Sequence, residues 1–120
     1  MSGGLGRHFA GLAGEDAALR LYEAEGGVPV ARRWRCPEGE IDLVVRVGGI
    51  VVFVEVKARR RWDAAAGAVT PAQWRRLRAA AGRYLAETCG GETDCRFDVV
   101  LVDGAGRAER IENAAAFDEW

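Results

Sequence analysis

Histidine is almost missing from this sequence: His8 is the only one in 120 residues. Cysteine is scarce as well, and Cys36, Cys89 and Cys95 form no CxxC pair. Both scarcities argue against a zinc site of the usual His/Cys kind and against a disulfide framework. The odd cysteine count points to free thiols in a reducing compartment, and a cytoplasmic protein is expected. No charge of one sign dominates, since Lys and Arg total 17 against 18 for Asp and Glu, a net charge of −1. Bulk charge thus gives no sign of nucleic-acid binding. No apolar run approaches the roughly 20 residues of a membrane span, so no membrane association is expected. The opening MSGGLGRHFAGLAGED lacks the apolar segment of a signal peptide. It reads as a flexible arm over 1–13, ahead of a single domain over 14–120.

The chain has enough apolar residues, 49 %, for one ordinary hydrophobic core. Glu15–Glu25 has helical spacing and ends at Gly26-Gly27, with Glu15 in the first turn, where the helix dipole favours an acid. Val28–Trp34 is extended, although Pro29 demotes it from a central strand. Glu40–Val47 and Ile50–Lys57 are β-branched runs around Gly48-Gly49, a two-residue hairpin signal. Thr70, Pro71 and Gln73 announce a helix through an N-cap, a proline at the first position and a capping box. Its apolar stripe is Trp74, Leu77, Ala81, Tyr84 and Leu85. Arg96–Val102 is a third strong strand, and Arg107–Glu112 a weak edge strand. A helix between the second and third strong strands suits a right-handed crossover and a parallel pair. The fold class is α/β: a small mixed sheet flanked by helices.

Charges inside the hairpin raise a functional question. A two-residue turn pairs Val47 with Ile50, which sets Asp42 opposite Glu55 and Glu40 opposite Lys57, all on one face. Two carboxylates about 5 Å apart repel by roughly 3 kcal/mol at an effective dielectric near 20. Two readings follow. The charges are solvent-facing strand residues, with Glu40 and Lys57 a surface pair worth little. Alternatively, Asp42 and Glu55 share a divalent ion of the Mg²⁺ type, with Lys57 beside a phosphate. Eight basic residues lie between Lys57 and Arg83 (Lys57, Arg59, Arg60, Arg61, Arg75, Arg76, Arg78 and Arg83) against the single acid Asp63. They form either a basic patch or a set of solvated side chains.

Asp42 followed by Glu55-Val56-Lys57 resembles the D…ExK signature of the PD-(D/E)XK nuclease superfamily, with Ile41 where the signature has proline. The likeness extends along the chain. Gly14-Glu15, RRWR at Arg32–Arg35, GEIDLV at Gly39–Val44, VFVEVKAR at Val52–Arg59, AVTPAQWRRL at Ala68–Leu77, YL at Tyr84-Leu85 and RFDVVLV at Arg96–Val102 together resemble the YraN-like family. That resemblance implies a restriction-endonuclease-like core similar to archaeal Holliday junction resolvases. It implies Glu15, Asp42, Glu55 and Lys57 as catalytic residues, and Asp42, Glu55 and Glu15 as ligands of Mg²⁺ or Mn²⁺. Gln73, equally explained by its capping role, and Glu40 are secondary candidates. Asp98 reads as structural support. Arg59, Arg60, Arg61, Arg75, Arg76 and Arg78 would meet DNA phosphates without reading sequence. The function expected is a metal-dependent DNA endonuclease, acting on branched or damaged DNA. The alternatives are a non-catalytic nucleic-acid-binding module and a protein-interaction domain, which Trp34, Trp62, Trp74 and Trp120 would serve. A homodimer is compatible with either.

Overall fold

The computed structural model describes residues 3–58, 69–90 and 93–114, with side chains from Ala13 onward. Along the chain run α1 (Gly3–Glu23), β1 (Val28–Cys36), β2 (Gly39–Val47), β3 (Ile50–Ala58), α2 (Pro71–Cys89), β4 (Cys95–Val102) and β5 (Ala108–Ile111). The strands form a five-stranded sheet in the order β1-β2-β3-β4-β5. This is the mixed sheet flanked by helices that the sequence implies, an α/β fold consistent with a restriction-endonuclease-like core.

The first helix differs from expectation at its start. It begins at Gly3, so helical backbone occupies much of the segment expected as an arm. No proline blocks that stretch, and a glycine costs a helix only about 1 kcal/mol. The end falls where the glycines put it. Gly26 is left-handed, with φ 84°, and the Gly27 N–H donates to the Tyr22 carbonyl at 2.8 Å. A Cβ on Gly27 would lie 2.8 Å from that same oxygen, so the close approach requires glycine.

The hairpin has the expected register. Val47 pairs with Ile50, and the ladder continues to Leu43 opposite Val54. Gly48 alone of the two turn residues has positive φ, 60°, as in turns that place glycine first. β3 and β4 run parallel, from Val51 beside Cys95 to Ala58 beside Val102. α2 lies between them in sequence, as a crossover demands. Among the described residues β1 is an edge strand paired only with β2, where Pro29 is tolerated, and its register shifts between Pro29 and Ala31.

Both sheet faces are buried, which explains the nearly unbroken apolar runs of β3 and β4. On one face, Ile41, Val44, Val51, Phe53 and Phe97 pack against Leu77, Ala80, Ala81, Tyr84 and Leu85 of α2. On the other, Leu43, Val45, Val52, Val54, Val100 and Val102 pack against Ala17, Ala18 and Tyr22 of α1. α2 carries the full capping box on Thr70 and Gln73, with Pro71 in its first turn. Trp34 and Trp74 are partly buried against the α2-side core. Trp34 meets Tyr84 edge-on at 5.3 Å, and Trp74 meets Phe97 at 6.4 Å. Neither is available as a broad interaction surface. Trp62 and Trp120 lie outside the described residues. The three cysteines are free. No helix among the described residues is long and apolar enough to cross a membrane.

Candidate active site

Asp42 sits one residue past the last β2–β3 ladder pair, between the fully buried Ile41 and Leu43. Its Oδ2 accepts a hydrogen bond from the Val56 backbone N–H at 2.9 Å. The side chain thus answers a strand donor at the point where the hairpin ladder opens. Extending the register by one pair sets Glu55 opposite Asp42, and the two carboxyl groups interact. Burial, then the charge of Glu55, and further the Glu55 hydrogen bond and the charge of Glu40, push Asp42 up to about 7; the Val56 N–H opposes them. Two carboxylates this close share a proton or need a cation.

Glu55 and Lys57 stand two residues apart on β3, hence on the same side of it. Their β4 partners in the parallel ladder are the buried Val99 and Leu101. Lys57 Nζ lies 3.3 Å from Glu55 Oε2, and both side chains are half-buried. The expected Glu40–Lys57 pair does not form. Glu40 faces β1 instead, where Arg35 Nε donates to its Oε2 at 2.8 Å. The reason lies in the ladders. β2 remains paired with β1 down to Gly39 opposite Cys36, whereas its ladder with β3 stops at Leu43. Glu40 is therefore beside the site, close enough to raise Asp42, but engaged elsewhere.

Glu15 lies in the interior of α1, not in its first turn, because the helix starts at Gly3. The dipole account of this residue is thereby corrected: its carboxylate meets no free N-terminal amides. The side chain is only 5 % exposed. Burial raises its pKa, Arg33 opposes that rise, Asp42 adds to it and Arg32 counters. Arg33 Nε donates to Glu15 Oε1 at 3.1 Å. Arg32 reaches the same oxygen at 3.6 Å and bonds Asp16 Oδ1 at 2.8 Å. Arg33 also has φ 50°, a left-handed backbone inside a strand. Such a conformation costs a side-chain-bearing residue about 1–2 kcal/mol. Arg32 and Arg33 were not among the expected site residues. The RRWR motif marks the place, but nothing in it shows which acid the arginines meet.

Gln73 is committed to the cap. Its Oε1 accepts from the Thr70 N–H at 2.8 Å, and its own N–H donates to Thr70 Oγ1 at 3.1 Å. Of the expected phosphate-contacting arginines, Arg59, Arg60 and Arg61 lie outside the described residues. Arg75 and Arg76 are exposed on α2 and have no acid partner among the described residues, while Arg78 is half-buried and engaged. Arg83 is bound to Glu38. Asp98 is fully buried on the α1 side and satisfied by the Tyr22 hydroxyl at 2.7 Å, Arg96 Nε at 3.1 Å and the Asn113 N–H at 2.8 Å. It is structural, as its alternation along β4 suggests.

The donor chemistry can be tested against a divalent ion. Asp42 and Glu55 fit: both are hard oxygen donors, and a cation would relieve their crowding. Glu15 is near enough to feel Asp42, but its Oε1 is held by arginine. Among the described residues no three His, Cys, Asp or Glu side chains form a ready metal cage.

The sheet topology and the D…ExK residues on its hairpin thus describe an α/β protein with a restriction-endonuclease-like core. The chain belongs to the uncharacterised protein family UPF0102, whose model matches residues 14–102; this is the YraN-like family of the sequence motifs. It is 52 % identical over 114 residues to a UPF0102 protein of Ruegeria pomeroyi, covering 94 % of this chain and 93 % of that one. A UPF0102 protein of Ruegeria sp. (strain TM1040) is 50 % identical over 112 residues, covering 92 % and 90 %. Another from Ralstonia pickettii is 49 % identical over 114 residues, covering 90 % of each chain.

Proposed function

We propose that this chain is a metal-dependent DNA endonuclease that hydrolyses phosphodiester bonds, with branched or damaged DNA as its substrate class. The observation that carries the reading is the crowded Asp42–Glu55 carboxyl pair with Lys57 3.3 Å from Glu55. Asp42 and Glu55 would hold Mg²⁺ or Mn²⁺, with Glu15 as a further ligand. When bound, such an ion polarises a phosphoryl oxygen and acidifies its water. The Val56 N–H fixes the orientation of Asp42. Lys57, partly withdrawn from water, is a cation for the negative charge that develops on the attacked phosphate. Arg75 and Arg76, with Arg59, Arg60, Arg61 and Arg78, would bind backbone phosphates without reading bases. Glu40, whose charge reaches Asp42, is a secondary candidate for a supporting role, and Gln73 would join it only by giving up its cap. A reducing, cytoplasmic setting suits the three free thiols. A second copy would add most readily along β1, where Val28 and Val30 are exposed.

The test is cleavage of single-stranded, duplex, flapped and four-way-junction DNA with Mg²⁺, Mn²⁺ or EDTA, comparing the wild type with Asp42→Ala. Metal-dependent cutting by the wild type alone is expected. Equal cutting by a folded Asp42→Ala protein would refute the assignment.

A second reading, a nucleic-acid-binding module without catalysis, is favoured by the hold of Arg33 on Glu15, which leaves the metal shell incomplete. It predicts salt-dependent DNA binding with no product in any lane.

A further inference from the structure

Resting on the metal-site reading, we propose that Arg33 and Arg32 form a phosphate-binding subsite that doubles as a latch on Glu15. In the free protein Arg33 hydrogen-bonds the Glu15 carboxylate, and Arg32, itself bonded to Asp16, adds its charge at 3.6 Å. A DNA phosphate takes their place as anion partner and releases Glu15 to complete the metal shell with Asp42 and Glu55.

Three observations converge on this. Glu15 is buried in the interior of α1, and its Oε1 lies 3.1 Å from Arg33 Nε and 3.6 Å from Arg32. An ionised carboxylate so buried requires a cationic partner, and the arginines supply it when no metal does. Second, Arg33 stands in β1 where the β1–β2 register would oppose it to Asp42, between the pairs Arg32–Leu43 and Trp34–Ile41. The latch therefore belongs to the same corner as the carboxyl pair. Third, Arg33 adopts its left-handed φ of 50° in the middle of a strand. An arginine has no intrinsic reason to accept that backbone. Residues held in this region cluster at active sites and ligand clamps.

The guanidinium groups suit phosphate. Arg33 is 28 % and Arg32 37 % exposed at the side chain, so a ligand can reach both while Glu15 stays covered. Guanidinium binds phosphate through paired hydrogen bonds, as it binds carboxylate. The exchange costs Glu15 its partners only when phosphate and metal arrive together. A nuclease built this way binds its ion weakly until nucleic acid is present.

The test reads metal binding rather than cleavage. Free Mn²⁺ is measured by electron paramagnetic resonance in titrations of the wild type, Arg33→Asn, Glu15→Gln and the double variant, each with and without a short duplex in Ca²⁺-free buffer. Asparagine tolerates the left-handed backbone, so Arg33→Asn removes the guanidinium with little strain. Circular dichroism and thermal melting check that each variant folds. In the absence of DNA, Arg33→Asn is expected to bind Mn²⁺ about tenfold more tightly than the wild type, an order set by typical coupling between sites. That gain should vanish in the Glu15→Gln background, because the latch acts through Glu15. DNA should tighten Mn²⁺ binding by the wild type and change it little in Arg33→Asn. A gain that persists without Glu15 would mean simple charge removal and overturn the latch. So would a wild type whose Mn²⁺ affinity DNA leaves unchanged. If no folded protein binds Mn²⁺ under any condition, the metal site itself fails, and the latch with it.

Discussion

Replacing Asp42 by asparagine should stabilise the metal-free protein, and only above a definite pH. In the fold Asp42 holds its proton up to about pH 7, against an ordinary value of 3.8. A carboxyl that binds its proton more tightly folded than unfolded favours the fold at low pH. That contribution is fully present below 3.8 and is lost as pH rises through about 7. Each unit of displacement is worth about 1.4 kcal/mol, so the ionised wild type forgoes roughly 4 kcal/mol at pH 8. Asparagine forgoes none of it. Its carbonyl still accepts the Val56 N–H, and its NH₂ can donate to Glu55. Allowing for relaxation of the pair, a gain of about 2–4 kcal/mol is expected, or roughly 10 °C in Tm for a domain this size. The assay is thermal and urea unfolding of both proteins in EDTA at pH 4 and pH 8. At pH 4 the two should nearly coincide. At pH 8 the variant should be the more stable, and adding Mg²⁺ should recover stability in the wild type alone. A variant no more stable at pH 8, or equally stabilised at both pH values, would refute the crowding of Asp42 and Glu55.

The other predictions concern separate parts of the molecule. Tyr22→Phe takes one donor from the buried Asp98 and should cost about 1–3 kcal/mol in urea unfolding, while Mn²⁺ binding is unchanged. Gly27→Ala drives a Cβ to within 2.8 Å of the Tyr22 carbonyl and should lower stability by about 1–3 kcal/mol, seen as a fall in Tm. Arg75→Glu with Arg76→Glu should weaken DNA binding across all sequences alike and reduce the slope of log affinity against log salt by about 2, measured by fluorescence anisotropy.

The elements that local chemistry dictates were legible in the sequence. Gly48-Gly49 between β-branched runs sets the hairpin and its register, and Thr70-Pro71-x-Gln73 sets the start of α2. The parallel β3–β4 pair follows from a helix between two strong strands. What stayed hidden depends on distant partners. Glu40 turns to Arg35 because one ladder ends at Leu43 while the other continues to Gly39. The early start of α1 moves Glu15 out of the first turn, and only the folded chain shows which arginines replace the helix dipole as its partner. Asp98 is satisfied by Tyr22 across a separation of 76 residues, which no local pattern reveals.

Two aspartates on one sheet, Asp98 fully buried and Asp42 half-buried, meet opposite surroundings. At Asp98 the fold supplies Tyr22, Arg96 and the Asn113 N–H, so the charge is matched by donors from α1, β4 and the segment after β5. The same sheet treats Asp42 otherwise. Among the described residues it offers the Val56 N–H alone and adds the charges of Glu55 and Glu40. A fold that can neutralise a buried carboxylate so fully has the means to do it twice. Among the described residues no cation pairs with Asp42, and Lys57 is bound to its partner, Glu55. Such crowding costs stability once Asp42 is ionised, and the divalent cation proposed above would relieve it.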